Sequence, residues 1–288
     1  MENIFLGLVP AIAWGIQPLF LSKIGGKATN QQMGLALGTF VFSLGIFIFK
    51  RPGVWTSNLI IGGFLCGLVW AFAQFNQIRV FSMVGVSRVM PISTAFQLIG
   101  NALVGVIYFG EWDNKNKIIL GIAAIACIIV GIVGSSFSEN QEVGGKEQMK
   151  KGIIILFFSA LAFVGYSAIP RVAGINGWDA LLPQTIGMVI GSFIFCSLEK
   201  DNDLFKKKTL SNLPVGFIFG IANLTIMLSN EYNGVVVGFT LSQLNVIVAT
   251  LGGLFILKEK KTTKELKYIL GGLILVAAGG ILIGLTKG

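Results

Sequence analysis

The chain has 288 residues, of which 54% are hydrophobic and only 12% charged, with a mean hydropathy of +0.80. A soluble globular domain carries about 25% charged residues, so the composition excludes a water-soluble protein and specifies an integral membrane one. The net charge of +9 comes from Lys and Arg in short breaks between apolar runs, as in loops beside a membrane; a nucleic-acid reader would gather them on one soluble element, so no nucleic acid is expected as a partner.

Apolar runs bounded by charged or Asn/Pro/Gly-rich breaks predict ten transmembrane helices, at 4–22, 32–49, 57–77, 84–110, 117–136, 152–170, 180–198, 213–230, 233–257 and 267–286. A rise of about 1.5 Å per residue lets about 20 residues cross a hydrocarbon core of roughly 30 Å. The opening stretch has neither a basic n-region nor a small-residue cleavage site, so it reads as the first span and not as a removable signal. The longest breaks are 137–151 and 199–212, the second carrying Lys206-Lys207-Lys208.

The halves repeat. Gln31, Gly34, Gly38 and Phe40 return 153 residues later as Gln184, Gly187, Gly191 and Phe193. Gly63-Phe64 and Gly67 return as Gly216-Phe217 and Gly220, Trp14 and Pro18 correspond to Tyr166 and Pro170, and Glu111 corresponds to Glu259. The expected fold is therefore an all-α integral membrane protein of ten transmembrane helices in two five-helix repeats: residues 1–136, a linker loop at 137–151, and residues 152–288. Because five is odd, the second copy enters from the opposite side, and inverted repeats supply the two exchangeable shapes of alternating access. The basic residues number 6 on the side of the termini and 15 on the other, leaving out Arg88 within a helix, which favours both termini outside. The glycine pairs 34/38, 63/67, 187/191 and 216/220 are small-xxx-small contacts for close helix approach.

Histidine is absent, which removes the usual zinc sites and Ser-His-Asp catalysis, and nothing pairs a nucleophile with a base. No enzyme, metal or cofactor is expected. Cys66, Cys127 and Cys196 lie inside apolar runs and read as packing residues. The chemistry lies instead in polar groups within spans, which are costly unless they pair or face an interior cavity. Trp70, Gln74 and Gln77 fall at i, i+4, i+7 on one face, and the eighth helix answers with Asn223 and Asn230. Thr94, Gln97 and Asn101 line one face of the fourth helix, and Ser242 and Asn245 repeat it in the ninth. With Trp14, Gln17, Tyr166 and Gln184, these form a candidate set of amides, hydroxyls and rings suited to a neutral polyhydroxylated molecule, whose hydroxyls bond amides while its C–H face stacks on an aromatic ring. Interhelical glue is the competing role for each of them. All 13 acids lie in loops or at helix ends; Glu231 and Asp179 are the ones nearest a cavity. Glu111 and Glu259 read as helix-start carboxylates, Trp55 and Trp112 as interface anchors, and Arg88 as a snorkelling cation.

Ten helices in two halves, with Gly110-Glu111 and Lys258-Glu259 closing the fourth and ninth, resemble the drug/metabolite transporter superfamily. Trp14-Gly15, Pro18, the Gln31/Gln184 repeat and Pro91 resemble its glucose/ribose porter branch. The resemblance spans essentially the whole chain. It implies a secondary transporter of the bacterial cell membrane that takes up a monosaccharide by proton symport, with Glu231 and Asp179 as the candidate coupling acids. Facilitated diffusion, export of a small metabolite or drug on the same fold, and a non-carrier role remain open alternatives at this point.

Overall fold

The computed structural model describes residues 2–51, 53–135, 137, 145–256 and 262–286. Every long element is helical. In chain order they are α1 (Phe5–Ile24), α2 (Ala28–Phe49), α3 (Ser57–Val84), α4 (Val86–Leu103), α5 (Lys115–Ser135), α6 (Gly145–Val172), α7 (Gly177–Ser197), α8 (Lys207–Ser211), α9 (Leu213–Asn233), α10 (Val235–Ser242), α11 (Asn245–Phe255) and α12 (Thr263–Leu285). Among the described residues nine helices are long and apolar enough to cross a membrane, α10 and α11 counting together, and a shorter apolar stretch, Ile92–Tyr108, completes α4. Large apolar side chains such as Ile12, Phe49, Ile122 and Ile274 point outward, as a hydrocarbon solvent requires.

The boundaries depart from expectation where the sequence carries no breaker. Helix α3 continues seven residues past Gln77, because Ile78–Val84 contains no Gly or Pro to break it, and stops only at Gly85, whose φ of +87° is strained for other residues. Helix α6 begins at Gly145, inside the expected linker. Helix α4 ends in a wide turn over Val104–Tyr108. The expected ninth helix is broken at Gln243-Leu244 into α10 and α11, and the short α8 is an addition.

Contacts between the halves are exchangeable. Helix α2 packs on α9 and α3 on α7; α1 meets α9 and α11, while α3 and α4 meet α6; α5 packs on α12. Each contact has a counterpart with the halves swapped, which is an internal pseudo-symmetry. Glycine makes the crossings possible. A Cβ at Gly216 would lie 2.6 Å from Gly38 Cα, and one at Gly67 would overlap the Gln184 carbonyl oxygen and sit 2.6 Å from Met188 N. Without side chains there, backbones touch, and dispersion over that contact substitutes for the hydrophobic drive that lipid withholds.

Two ends of the bundle can be told apart. At one, Lys27 pairs with Asp201 and Asp203, and Arg79 with Glu199. At the other, Glu111, Arg171 and Gly234 meet. Trp112 is a correction: it is no interface anchor, being buried with Ala124, Val236, Val237, Leu241 and Ile283, because Gly121 leaves room for its ring. Trp55 is exposed beside Phe47.

Candidate functional site

A cavity lies between the halves, with about 50 Å³ of open space. One water needs about 10–15 Å³ of such space, so the cavity admits a few waters and anything larger requires its walls to part. Trp14 and Gln17 of α1, Trp70, Gln74 and Gln77 of α3, and Thr94 and Gln97 of α4 line one wall. Tyr166 of α6 and Asn245 of α11 face them, with Phe219 and Phe239 between. The i, i+4, i+7 spacing on α3 is what delivers three side chains to one wall.

The rings are ordered on one another. Trp14 stacks on Phe219 with centroids 6.1 Å apart at 25°, and Trp70 meets the same Phe219 at 4.8 Å. Three buried polar atoms around this cluster have no protein partner: Trp14 Nε1, Trp70 Nε1 and Asn245 Oδ1. Two donors and one acceptor next to the cavity are thus without a protein partner, a costly state for a buried polar group. Gln77 and Gln97 amides both donate to Ser93 Oγ, at 2.7 and 2.8 Å, which fixes their rotamers across the α3–α4 hairpin. Among the described residues lining the cavity none is charged.

Other candidates fall behind the wall. Asn223 and Gln184 are fully buried and do not line the cavity; they support Tyr166. The Tyr166 hydroxyl donates to Asn223 Oδ1 (2.6 Å), Asn223 Nδ2 to Gln184 Oε1 (2.7 Å), Gln184 Nε2 to Cys66 Sγ (3.0 Å), and the Cys66 thiol to the Tyr166 carbonyl (3.1 Å). The circuit closes on itself across α3, α6, α7 and α9. Cys66, read as a packing residue, is one of its members. Asn101 Nδ2 donates to the Gln97 carbonyl and its Oδ1 accepts from Ser167. Ser242 donates to the Phe239 carbonyl at 2.6 Å, within its own helix. Gln243, which the sequence did not single out, lines the cavity at the break between α10 and α11; no Gly or Pro marks that break.

Two wider spaces flank the cavity. One of about 280 Å³ at the Glu111 end shares Tyr166 with it and is lined by Arg171, Asn230 and Glu231. One of about 540 Å³ at the Lys27 end shares Phe81 and is lined by Lys27, Gln31, Arg79, Glu199 and Asp201. Glu231 therefore faces the first space, and its Oε2 accepts the Gly177 N–H at 3.4 Å. Asp179 faces none of these three spaces; its Oδ2 accepts from Asn176 Nδ2 at 2.7 Å and its N–H donates to Asn176 Oδ1, an ordinary cap of α7. Glu111 is a further correction: it does not serve the start of α5, because its carboxylate binds the first amides of α10. Glu259 and the Arg88 side chain lie outside the described residues.

The model of the family described as "Sugar transport protein" matches residues 5–286. The chain belongs to that family. Its relatives include a Listeria monocytogenes protein named for sugar uptake, 44% identical over 99% of both chains, and a Priestia megaterium protein named for glucose uptake, 43% identical over 99% of both. A Latilactobacillus sakei protein named for ribose uptake is 40% identical over 99% of both. A crystal structure at 15% identity superposes with a TM-score of 0.76, covering 99% of this chain and 96% of that one, which shows the fold alone. As a member of the sugar transport family, the chain is a multi-pass plasma-membrane transporter and not an enzyme.

Proposed function

We propose that this transporter takes up a monosaccharide of the glucose or ribose class. The carrying observation is the uncharged cavity lined by stacked rings and amides, whose lining residues Trp14, Trp70 and Asn245 keep Nε1, Nε1 and Oδ1 without a protein partner. A ring sugar supplies hydroxyls that accept from indoles and donate to an amide oxygen, and an apolar face for the aromatics. A cation would call for a carboxylate in the cavity and an anion for guanidinium groups. The relatives named for glucose and ribose uptake support the same substrate class.

The cycle we propose is alternating access between two inverted five-helix repeats, 1–136 and 152–288 joined by 137–151, with ten transmembrane helices, α4 included. The exchangeable contacts support it. The Lys27 end faces the cytoplasm, since it holds the greater share of Lys and Arg. Coupling to protons runs through Glu231 or Asp179; Glu231 has the better placement, facing the space beside Tyr166.

Uptake of labelled glucose and ribose into proteoliposomes, with and without an inward proton gradient, tests this. Accumulation that an uncoupler abolishes supports symport, and its loss in Glu231→Gln or Asp179→Asn with binding intact assigns the acid. Equilibration without accumulation makes the protein a facilitator, and no uptake of either sugar sinks the uptake reading in favour of an exporter. Trp70→Phe removes a neutral donor worth about 0.5–1.5 kcal/mol, so KM rises about two- to twelvefold. The thermal midpoint falls as well, because Trp70 is fully buried and the smaller ring leaves a void, so KM is read on the folded protein alone.

A further inference from the structure

Glu111 lies outside the cavity, yet few groups in the chain are held by so many partners. Only 10% of its side chain is exposed. Oε1 accepts the Val235 N–H at 2.6 Å and Oε2 the Val236 N–H at 2.7 Å. These are the first amides of α10, which no carbonyl of their own helix can satisfy. Arg171, at the end of α6, donates to the same Oε1, and its guanidinium covers the Phe109 ring at 4.1 Å. The backbone is trimmed to admit the group: a Cβ at Gly234, where φ is +82°, would come 2.9 Å from the carboxyl, and one at Gly105 would come 3.2 Å from Oε2.

The three segments fastened here are the ones that shape the cavity. Helix α10 carries Phe239 into its wall and leads within two turns to Gln243 and Asn245, which also line it. Helix α6 carries Tyr166, the ring shared between the cavity and the Glu111-end space. The segment after α4 brings Glu111 itself. At the Lys27 end the corresponding joint, Gly85, has nearly the same backbone, φ +87° against +82°. There, however, the next residue, Val86, borders the 540 Å³ opening. Among the described residues, the start of α10 is held by a carboxylate, whereas the start of α4 borders an opening.

We propose that Glu111 and Arg171 are positioning residues for transport: they latch α10 to the ends of α4 and α6, hold the Glu111 end shut, and part in each cycle to let sugar through. The proposal rests on the alternating-access reading above. The Glu111 carboxylate is only 10% exposed and accepts three bonds, one of them from Arg171, so losing its charge weakens all three together, which suits a device with two positions and little between. Glu111→Gln keeps one carbonyl oxygen for one of the two N–H groups, turns an NH2 toward the other, and leaves Arg171 without its counter-charge.

A cysteine placed at Met227, which is buried and borders the Glu111-end space, reports on the latch. Its reaction with a charged, membrane-impermeant maleimide is followed in right-side-out and in inverted vesicles, over the labelling of the unmodified chain. Adding Glu111→Gln raises the rate about tenfold, the equivalent of one lost charge-assisted bond, from the Glu111 side only. Glu111→Asp restores most of the slow rate, and Asp113→Asn, an exposed acid two residues away, leaves it slow. No rise in Glu111→Gln overturns the latch, and so does an equal rise from both sides, which signals a lost fold. Sugar uptake by the parent chain is scored separately. A one-sided rise without uptake sinks the sugar reading and leaves the latch, whereas uptake without a rise sinks the latch alone.

Discussion

Replacing Asn223 by Ala deletes two buried hydrogen bonds at once, those from the Tyr166 hydroxyl (2.6 Å) and to Gln184 Oε1 (2.7 Å). Interhelical hydrogen bonds in membranes contribute about 0.6 kcal/mol each on average, with a maximum of about 1.7. Two of them, plus the space an amide vacates at a fully buried position, give a loss of about 2–3 kcal/mol. Tyr166→Phe removes a single hydroxyl and costs about 1 kcal/mol. The informative quantity is the combination. In the Asn223→Ala background the Tyr166 hydroxyl is an orphan, so converting it to Phe costs nothing further, and the cycle shows a coupling of about 1 kcal/mol. Reversible unfolding in mixed micelles, followed by circular dichroism for the parent, both single variants and the double, measures it. Additivity within about 0.3 kcal/mol would refute the closed circuit. The transport consequence is separate: Tyr166 lines the cavity, so KM for sugar rises in Asn223→Ala even where unfolding is corrected for the amount of folded protein.

Two further outcomes concern the scaffold. Gly67→Ala forces a Cβ onto the Gln184 carbonyl oxygen and costs upward of about 2 kcal/mol from overpacking, net of the gain in helix propensity. Gly45→Ala, in α2 with nothing within 4 Å, is stabilising by up to about 1 kcal/mol; equal thermal midpoints for the two variants would contradict the close α3–α7 crossing. At the Lys27 end, hydrogen bonds from Lys206 and then Lys27 hold the Asp203 carboxyl below its ordinary value. Its contribution to stability is therefore present above the unfolded-state value and fades as pH falls through the lower folded one. Below about pH 4 the melting temperature of the parent drops more steeply than that of Asp203→Asn, and parallel curves would exclude the role.

The sequence made the inward faces legible, because a polar group inside a span has to turn away from lipid. Trp70, Gln74 and Gln77 reached one wall for that reason, together with Trp14, Gln17 and Thr94 from other helices. It did not distinguish a cavity from a neighbouring helix, since both reward the same orientation. Gln184, Asn223, Ser242 and Asn101 thus turned out to hold other residues instead of facing open space. Phe219 and Phe239 went unmarked, as an apolar ring in a span reads like lipid-facing surface until a partner such as Trp14 is seen against it. The role of Glu111 was not legible because its partners, the Arg171 guanidinium and the Val235 N–H, lie 60 and 124 residues away, and local spacing points only to the nearest helix.

The single glycines at 85 and 234 have a mechanical meaning. Helix α3 ends at Val84 and α4 starts at Val86; α9 ends at Asn233 and α10 starts at Val235. One residue spans under 4 Å and has two soft torsions, so neither joint carries slack. A shift of the end of α3 drags the start of α4 with it, and a shift of α9 that of α10, like two arms of a crank pinned at a glycine. The two cranks sit at opposite ends of the bundle, Gly85 beside the Lys27 opening and Gly234 against Glu111. Adding two flexible residues at either one would leave every helix intact and let the arms slip, so that sugar could bind without the far end learning of it.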